Sequence, residues 1–167
     1  HPEFGQLTQC ICKQNEINRT AQQRLYHASN LEAFNKMTFS SFSVQGRLGL
    51  GDEQIRSLQY ALSQAQQFAA SPRGWLALMG TYGCGKTHLA AAIANACVEF
   101  GMTTLFLTVP DLMDWLRNSF DSADTNFEQR FEEIRNVGLL VLDDLGAQNT
   151  TKWANEKLFQ IIDHRYA

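Results

Sequence analysis

Gly80-Thr81-Tyr82-Gly83-Cys84-Gly85-Lys86-Thr87 fits the pattern G-x-x-x-x-G-K-[ST], a loop whose backbone N–H groups wrap the phosphates of a nucleotide. In such a loop the lysine carries a positive charge to the β- and γ-phosphates, and the hydroxyl of the last residue ligates Mg²⁺. Glycines are needed because the loop visits positive φ and because a Cβ would block the approach of backbone to phosphate. The flanking sequence agrees. Trp75-Leu76-Ala77-Leu78-Met79 is a short apolar run that predicts a buried strand, and Thr87 to Phe100 is an alanine-rich helical stretch. Strand, loop and helix N-terminus together make an anion site. Nucleotide contacts are therefore expected along Gly80, Thr81, Tyr82, Gly83, Cys84, Gly85, Lys86, Thr87 and His88, with Lys86 also counted as catalytic.

Downstream, Leu139-Leu140-Val141-Leu142 runs into Asp143-Asp144. Four apolar residues ending in acids predict a parallel strand, buried on both faces, that delivers carboxylates at its C-terminal edge. Ligands of open α/β sheets sit at that edge. Standing alone, the stretch reads equally well as a core strand capped by a polar turn. Following a phosphate loop, it reads as the second half of a hydrolytic site. Asp143 is then expected to hold Mg²⁺ beside Thr87, and Asp144 to polarise the attacking water.

Length and composition fit this reading. The chain has 167 residues, 44% hydrophobic and 19% charged, enough for one domain with a real core plus an N-terminal appendage. A net charge of −3 excludes wholesale electrostatic trapping of nucleic acid, so any such contact must come from local patches. Neither a signal peptide nor an apolar stretch of membrane-spanning length is visible, which makes the cytoplasm the expected location.

The sequence divides near Gly51: residues 1–50 are read as a polar N-terminal extension, and 51–167 as the nucleotide-binding core. In the extension, Cys10-Ile11-Cys12 is the one close cysteine pair. Two cysteines cannot close a tetrahedral zinc site, so the pair reads as half of a four-ligand cluster or as two exposed thiols, with a disulfide across one intervening residue the least favoured. Glu16 to Leu31 reads as a solvated helix. Phe39 and Phe42 lie just ahead of the core, where they either approach a nucleobase or staple the linker down. In the core, Asp52 is expected to cap a helix to about Ala70, with Ile55, Leu58, Leu62, Ala65, Phe68 and Ala69 on one face. A second strand is expected over Thr103–Val109, ended by Pro110. Asp111 is expected to cap a helix to Phe120, and after a break at Asp121–Asp124 a further helix carries Phe127, Phe131 and Ile134. Thr150 or Thr151 opens a last helix with Ala154, Leu158, Ile161 and Ile162 on its buried stripe. This order predicts an α/β fold with a parallel sheet flanked by helices.

The stretches Gly74-Trp75-Leu76, Tyr82 to Leu89, Val109-Pro110-Asp111-Leu112 and Leu142-Asp143-Asp144-Leu145-Gly146 resemble the bacterial replicative helicase loaders. These are the DnaC/DnaI-type AAA+ ATPases, close relatives of IstB, the ATPase subunit of some transposons. The resemblance implies a P-loop NTPase fold of the AAA+ type, with ATP or ADP and Mg²⁺ as ligands. As partners it implies a hexameric replicative helicase, single-stranded DNA and further copies of the chain when ATP is bound. Cys10-Ile11-Cys12 resembles the end of the zinc-binding module with which loaders grip the helicase, and the helices between 111 and 135 resemble an element that faces single-stranded DNA. Arg117, Arg130 and Arg135 stand among seven acids in that stretch, so DNA binding is expected to be weak, ATP-dependent and shared between subunits, with stacking from residues such as Phe120. The chain stops at Arg165-Tyr166-Ala167, ahead of the sensor strand and arginine finger of such loaders, which predicts a core truncated at its C-terminal end and little hydrolysis in isolation. Asp144 stands where many AAA+ proteins place glutamate, which also predicts slow hydrolysis. Two other readings compete: a transposition ATPase assembling on double-stranded DNA, and a metabolic P-loop kinase, against which the Asp-Asp-Leu-Gly strand end argues.

Overall fold

The computed structural model describes residues 29–45, 50–118, 127–146 and 151–166. Cys10, Cys12, most of the stretch from Glu16 to Leu31, Phe120 and the break at Asp121–Asp124 lie outside the described residues. Five α-helices and two strands follow in the order α1 (Asp52–Ala70), α2 (Lys86–Glu99), β1 (Thr104–Thr108), α3 (Val109–Asn118), α4 (Phe127–Asn136), β2 (Leu139–Asp143) and α5 (Lys152–Tyr166). A short 3-10 turn at Asn30–Phe34 precedes them.

β1 and β2 pair in parallel, with Thr104 opposite Leu139 and Thr108 opposite Asp143. Parallel neighbours require a crossover, which α3 and α4 supply. Because side chains alternate along a strand, the register sorts the core into two layers. Leu105, Leu107, Leu140 and Leu142 face α3, α4 and α5, where they meet Leu112, Leu116, Phe131, Ile134 and Ile161. Phe106 and Val141 face α2, where Ala90, Ala91 and Ala94 let the helix approach closely. α1 closes the outside of α2 through Ala65 and Ala69 against Leu89, Ile93 and Cys97. Burial pushes the Cys97 thiol pKa up, so it behaves as a small apolar core residue.

Residues 29–42, part of the stretch read as a polar extension, form a strap packed against this core. Leu31 is wholly buried against α2 and Phe106, and Phe34 tilts against Phe106 at 5.3 Å. The Ser29 hydroxyl accepts the Phe106 N–H at 2.9 Å and donates to the Phe106 carbonyl at 3.1 Å. A single side chain thus satisfies both main-chain groups of a buried strand residue.

Four sequence expectations need correction. Trp75–Met79 is not a laddered strand. It packs on the α2 side of the core through Leu78 alone, with Trp75 56% and Met79 88% exposed. An apolar run becomes a strand only where another backbone meets it, and the sheet among the described residues holds β1 and β2 alone. The cap of α1 is Gly51, whose N–H donates to the Gln54 side chain at 2.7 Å, while Asp52 sits in the first turn, where the helix dipole favours an acid. Pro110 does not end the strand; it lies in the first turn of α3, where a missing N–H costs nothing. The cap there is Thr108 rather than Asp111. Thr108 Oγ1 accepts the Asp111 N–H at 3.2 Å and donates to the Asp111 carboxylate at 2.7 Å, a reciprocal arrangement like a capping box. The last helix starts as expected, with Thr151 Oγ1 accepting the Ala154 N–H.

At its far end α5 is tied down by Arg165, which donates to the carbonyls of Arg135 at 3.0 Å and Val137 at 2.7 Å. Burial lowers the pKa of this guanidinium, though not enough to discharge it. Arg165→Ala is expected to destabilise the fold by about 1–3 kcal/mol, because carbonyls in the turn before β2 lose a charged donor. A urea titration checks this, and a midpoint equal to that of the wild type would contradict it.

Candidate nucleotide site

The loop between Leu78 and α2 carries three glycines at positive φ: Gly80 at 150°, Gly83 at 73° and Gly85 at 97°. Gly85 is the residue at which the chain turns into α2, and its carbonyl accepts the first helical bond, from Leu89 N–H at 3.0 Å. The free N–H groups of this helix start, with the positive end of its dipole, face the exposed loop. Lys86 folds back into the loop, its Nζ donating to the carbonyls of Thr81 at 2.9 Å and Gly80 at 3.2 Å, with Cys84 Sγ at 3.9 Å. An ammonium at the centre of a glycine loop, under a helix N-terminus, is the donor set that a polyphosphate fits. Tyr82 at the tip is 99% exposed and Thr87 half-buried.

Asp143 closes β2 opposite Thr108, half-buried at the C-terminal edge of the sheet. Asp144 follows at φ 52°, the one non-glycine residue with positive φ among those described. Aspartate tolerates this conformation better than most residues. The turn sends its exposed carboxylate off the strand end, and strained backbone of this kind clusters at sites of chemistry. The sequence therefore puts both halves of the expected site at a helix start and a strand end suited to them.

The His88 ring is directed to the strap, with Nε2 3.0 Å from the Thr38 carbonyl and 3.2 Å from Ser41 Oγ. Phe42 meets the His88 ring edge-on at 5.3 Å and lies over Gly85, so that a Cβ there would come within 2.7 Å of Phe42 Cε2. Of the two uses left open for Phe42, stapling the linker is the contact seen. Asn95 was not legible as part of this region, although a polar residue in an otherwise apolar helix face is a signal; its Nδ2 donates to the carbonyls of Phe34 and Met37, both at 3.0 Å. No cluster of three or more metal-ligating side chains occurs among the described residues. No helix among them is long and apolar enough to cross a membrane.

A family model described as IstB-like ATP binding protein matches residues 4–167. The uncharacterized protein YdaV of Escherichia coli strain K12 is 35% identical over 97% of the chain, which covers 64% of YdaV. The replicative helicase loader DnaC of the same strain is 38% identical over 63% of the chain and 44% of its own length. The DnaC loader of Buchnera aphidicola subsp. Schizaphis graminum is 27% identical over 98% of the chain and 64% of its own length. The chain thus spans less than two thirds of the curated relatives it matches.

Proposed function

The chain belongs to the family of IstB-like ATP-binding proteins, and from that premise we propose that it is an ATP-switched loader of a replicative DNA helicase. The observation that carries the proposal is the glycine loop with Lys86 drawn inside it at the start of α2, in a chain 38% identical to a helicase loader over 108 residues. The fold is then a P-loop NTPase of the AAA+ type, with its core over residues 51–167. Residues 1–50 form an extension that carries the helicase contact, and its strap folds onto the core.

In this reading the N–H groups of Gly80 to Thr87 and His88 hold the phosphates of ATP or ADP, and Lys86 offsets the charge that grows on the β/γ bridge during hydrolysis. Thr87 Oγ1 and Asp143 are the oxygen ligands suited to Mg²⁺, which when bound neutralises phosphate charge. Asp144, projecting past the strand end, orients the attacking water. Cys10 and Cys12 supply half of a zinc site in the helicase-binding region.

DNA contact is placed at α3 and α4 and is weak in one copy. Arg117 pairs with Asp114 at 3.1 Å and lies over Trp153; Arg135 pairs with Glu132 at 2.6 Å; Arg130 lies over Trp115. With these cations engaged, several ATP-bound copies are needed to build a binding track. The protein acts in the cytoplasm, where replication takes place.

Fluorescence anisotropy of the full-length protein with labelled single-stranded and duplex DNA, with and without ATP, tests the reading together with a helicase pull-down. ATP-dependent preference for single strands and capture of a hexameric helicase are expected. Preference for duplex without helicase capture would favour instead a transposition ATPase, the reading that the matching family model keeps in play.

A further inference from the structure

Helix α2 turns two polar side chains to the strap. His88 and Asn95 lie seven residues, about two turns, apart on one side of the helix, and both hold main chain of the strap. A carbonyl only accepts, so the 3.0 Å contact to Thr38 places the hydrogen on His88 Nε2. Ser41 Oγ, 3.2 Å from the same nitrogen, is fixed by accepting the Thr38 N–H at 2.9 Å and donating to the Lys36 carbonyl at 2.8 Å. The strap is therefore a turn with a defined shape when it meets the histidine. Its tip, Phe42, then rests edge-on against His88 and directly over Gly85, the last glycine of the phosphate loop. A Cβ on Gly85 would clash with the seated Phe42 ring, and at φ 97° an L side chain there would be strained besides.

We propose that His88 is a positioning residue for nucleotide binding: by holding Thr38 and Phe42 it seats the strap on Gly85, so that strap docking and closure of the loop around phosphate are one equilibrium. The proposal rests on the nucleotide-binding reading above and goes beyond it in assigning the His88 side chain to the strap instead of the ligand. Coupling of this kind is reciprocal: phosphate that orders the loop must tighten the strap by the factor with which the strap tightens phosphate.

The test measures two quantities in the full-length chain: hydrogen exchange of peptides spanning residues 34–42, and affinity for a fluorescent ADP analogue. The proteins are wild type, His88→Ala, His88→Gln and Lys86→Ala. Glutamine keeps an N–H donor at about the reach of Nε2 and loses the ring. In His88→Ala, strap exchange without nucleotide is expected to rise about tenfold and affinity to fall about five- to tenfold. His88→Gln should recover most of both, and Lys86→Ala should lose affinity while keeping its strap protected. Wild-type affinity in His88→Ala would overturn the coupling alone. So would a His88→Gln protein that melts like wild type yet behaves like the alanine variant. Absence of nucleotide binding by the wild type would overturn the functional reading and the coupling with it. If His88→Ala does not fold, Phe42→Leu takes its place, and undiminished affinity in that variant would overturn the proposal.

Discussion

Replacing Lys86 by alanine lowers the affinity for MgATP at least tenfold, or about 1.4 kcal/mol. Two losses add. The ammonium that faces the β- and γ-phosphates disappears, and with it the two bonds that brace the loop from inside, to the carbonyls of Gly80 and Thr81. The loop is exposed, so these carbonyls turn to water and the fold survives. Titration with a fluorescent ATP analogue reads the affinity directly. Thermal melts give a second readout: nucleotide at a hundred times its dissociation constant stabilises the wild type by about 2.7 kcal/mol, and the variant at the same concentration by far less. Equal affinity in the two proteins would defeat the assignment of the loop.

Asp144→Asn is expected to cut ATP hydrolysis by about 10²–10⁴-fold in the full-length protein, while leaving ATP binding within about twofold. The amide keeps the size of the side chain and loses the charge that orients water. Asparagine also accepts the left-handed conformation at φ 52°, so stability should hold. Alanine is the poorer control. It would add a backbone cost of about 1–3 kcal/mol at that φ and confuse folding with chemistry. Phosphate release, measured beside nucleotide affinity, separates the two effects. Unchanged release would remove Asp144 from the mechanism.

The residues legible in advance were those whose role is set by near neighbours. The glycine loop, the acidic strand end, the extent of α1 and the Phe127–Phe131–Ile134 stripe depend on spacing within a few residues, and spacing is what a sequence displays. Trp75–Met79 failed because a ladder needs a partner backbone, which the apolar run itself cannot specify. Pro110 misled in the other direction: proline is as much a helix opener as a strand terminator, and the pairing of Thr108 with Asp111 three residues on was the better signal. The strap was hidden by its composition. Its anchors are Leu31, Phe34 and Phe42 scattered among polar residues, and the groups that receive them, Phe106, Asn95 and Gly85, are more than forty positions away.

Ser29 bears on a different matter, the sociability of the sheet. A strand with unpaired main chain on its outer side invites another copy to add itself there, which is how sheets grow between molecules. On β1 the central residue of that margin, Phe106, has its N–H and carbonyl already engaged by one hydroxyl. An incoming strand would have to evict the serine and, with it, the buried Leu31 two residues on. The protection of this strand margin against such an addition rests on a side chain of two heavy atoms.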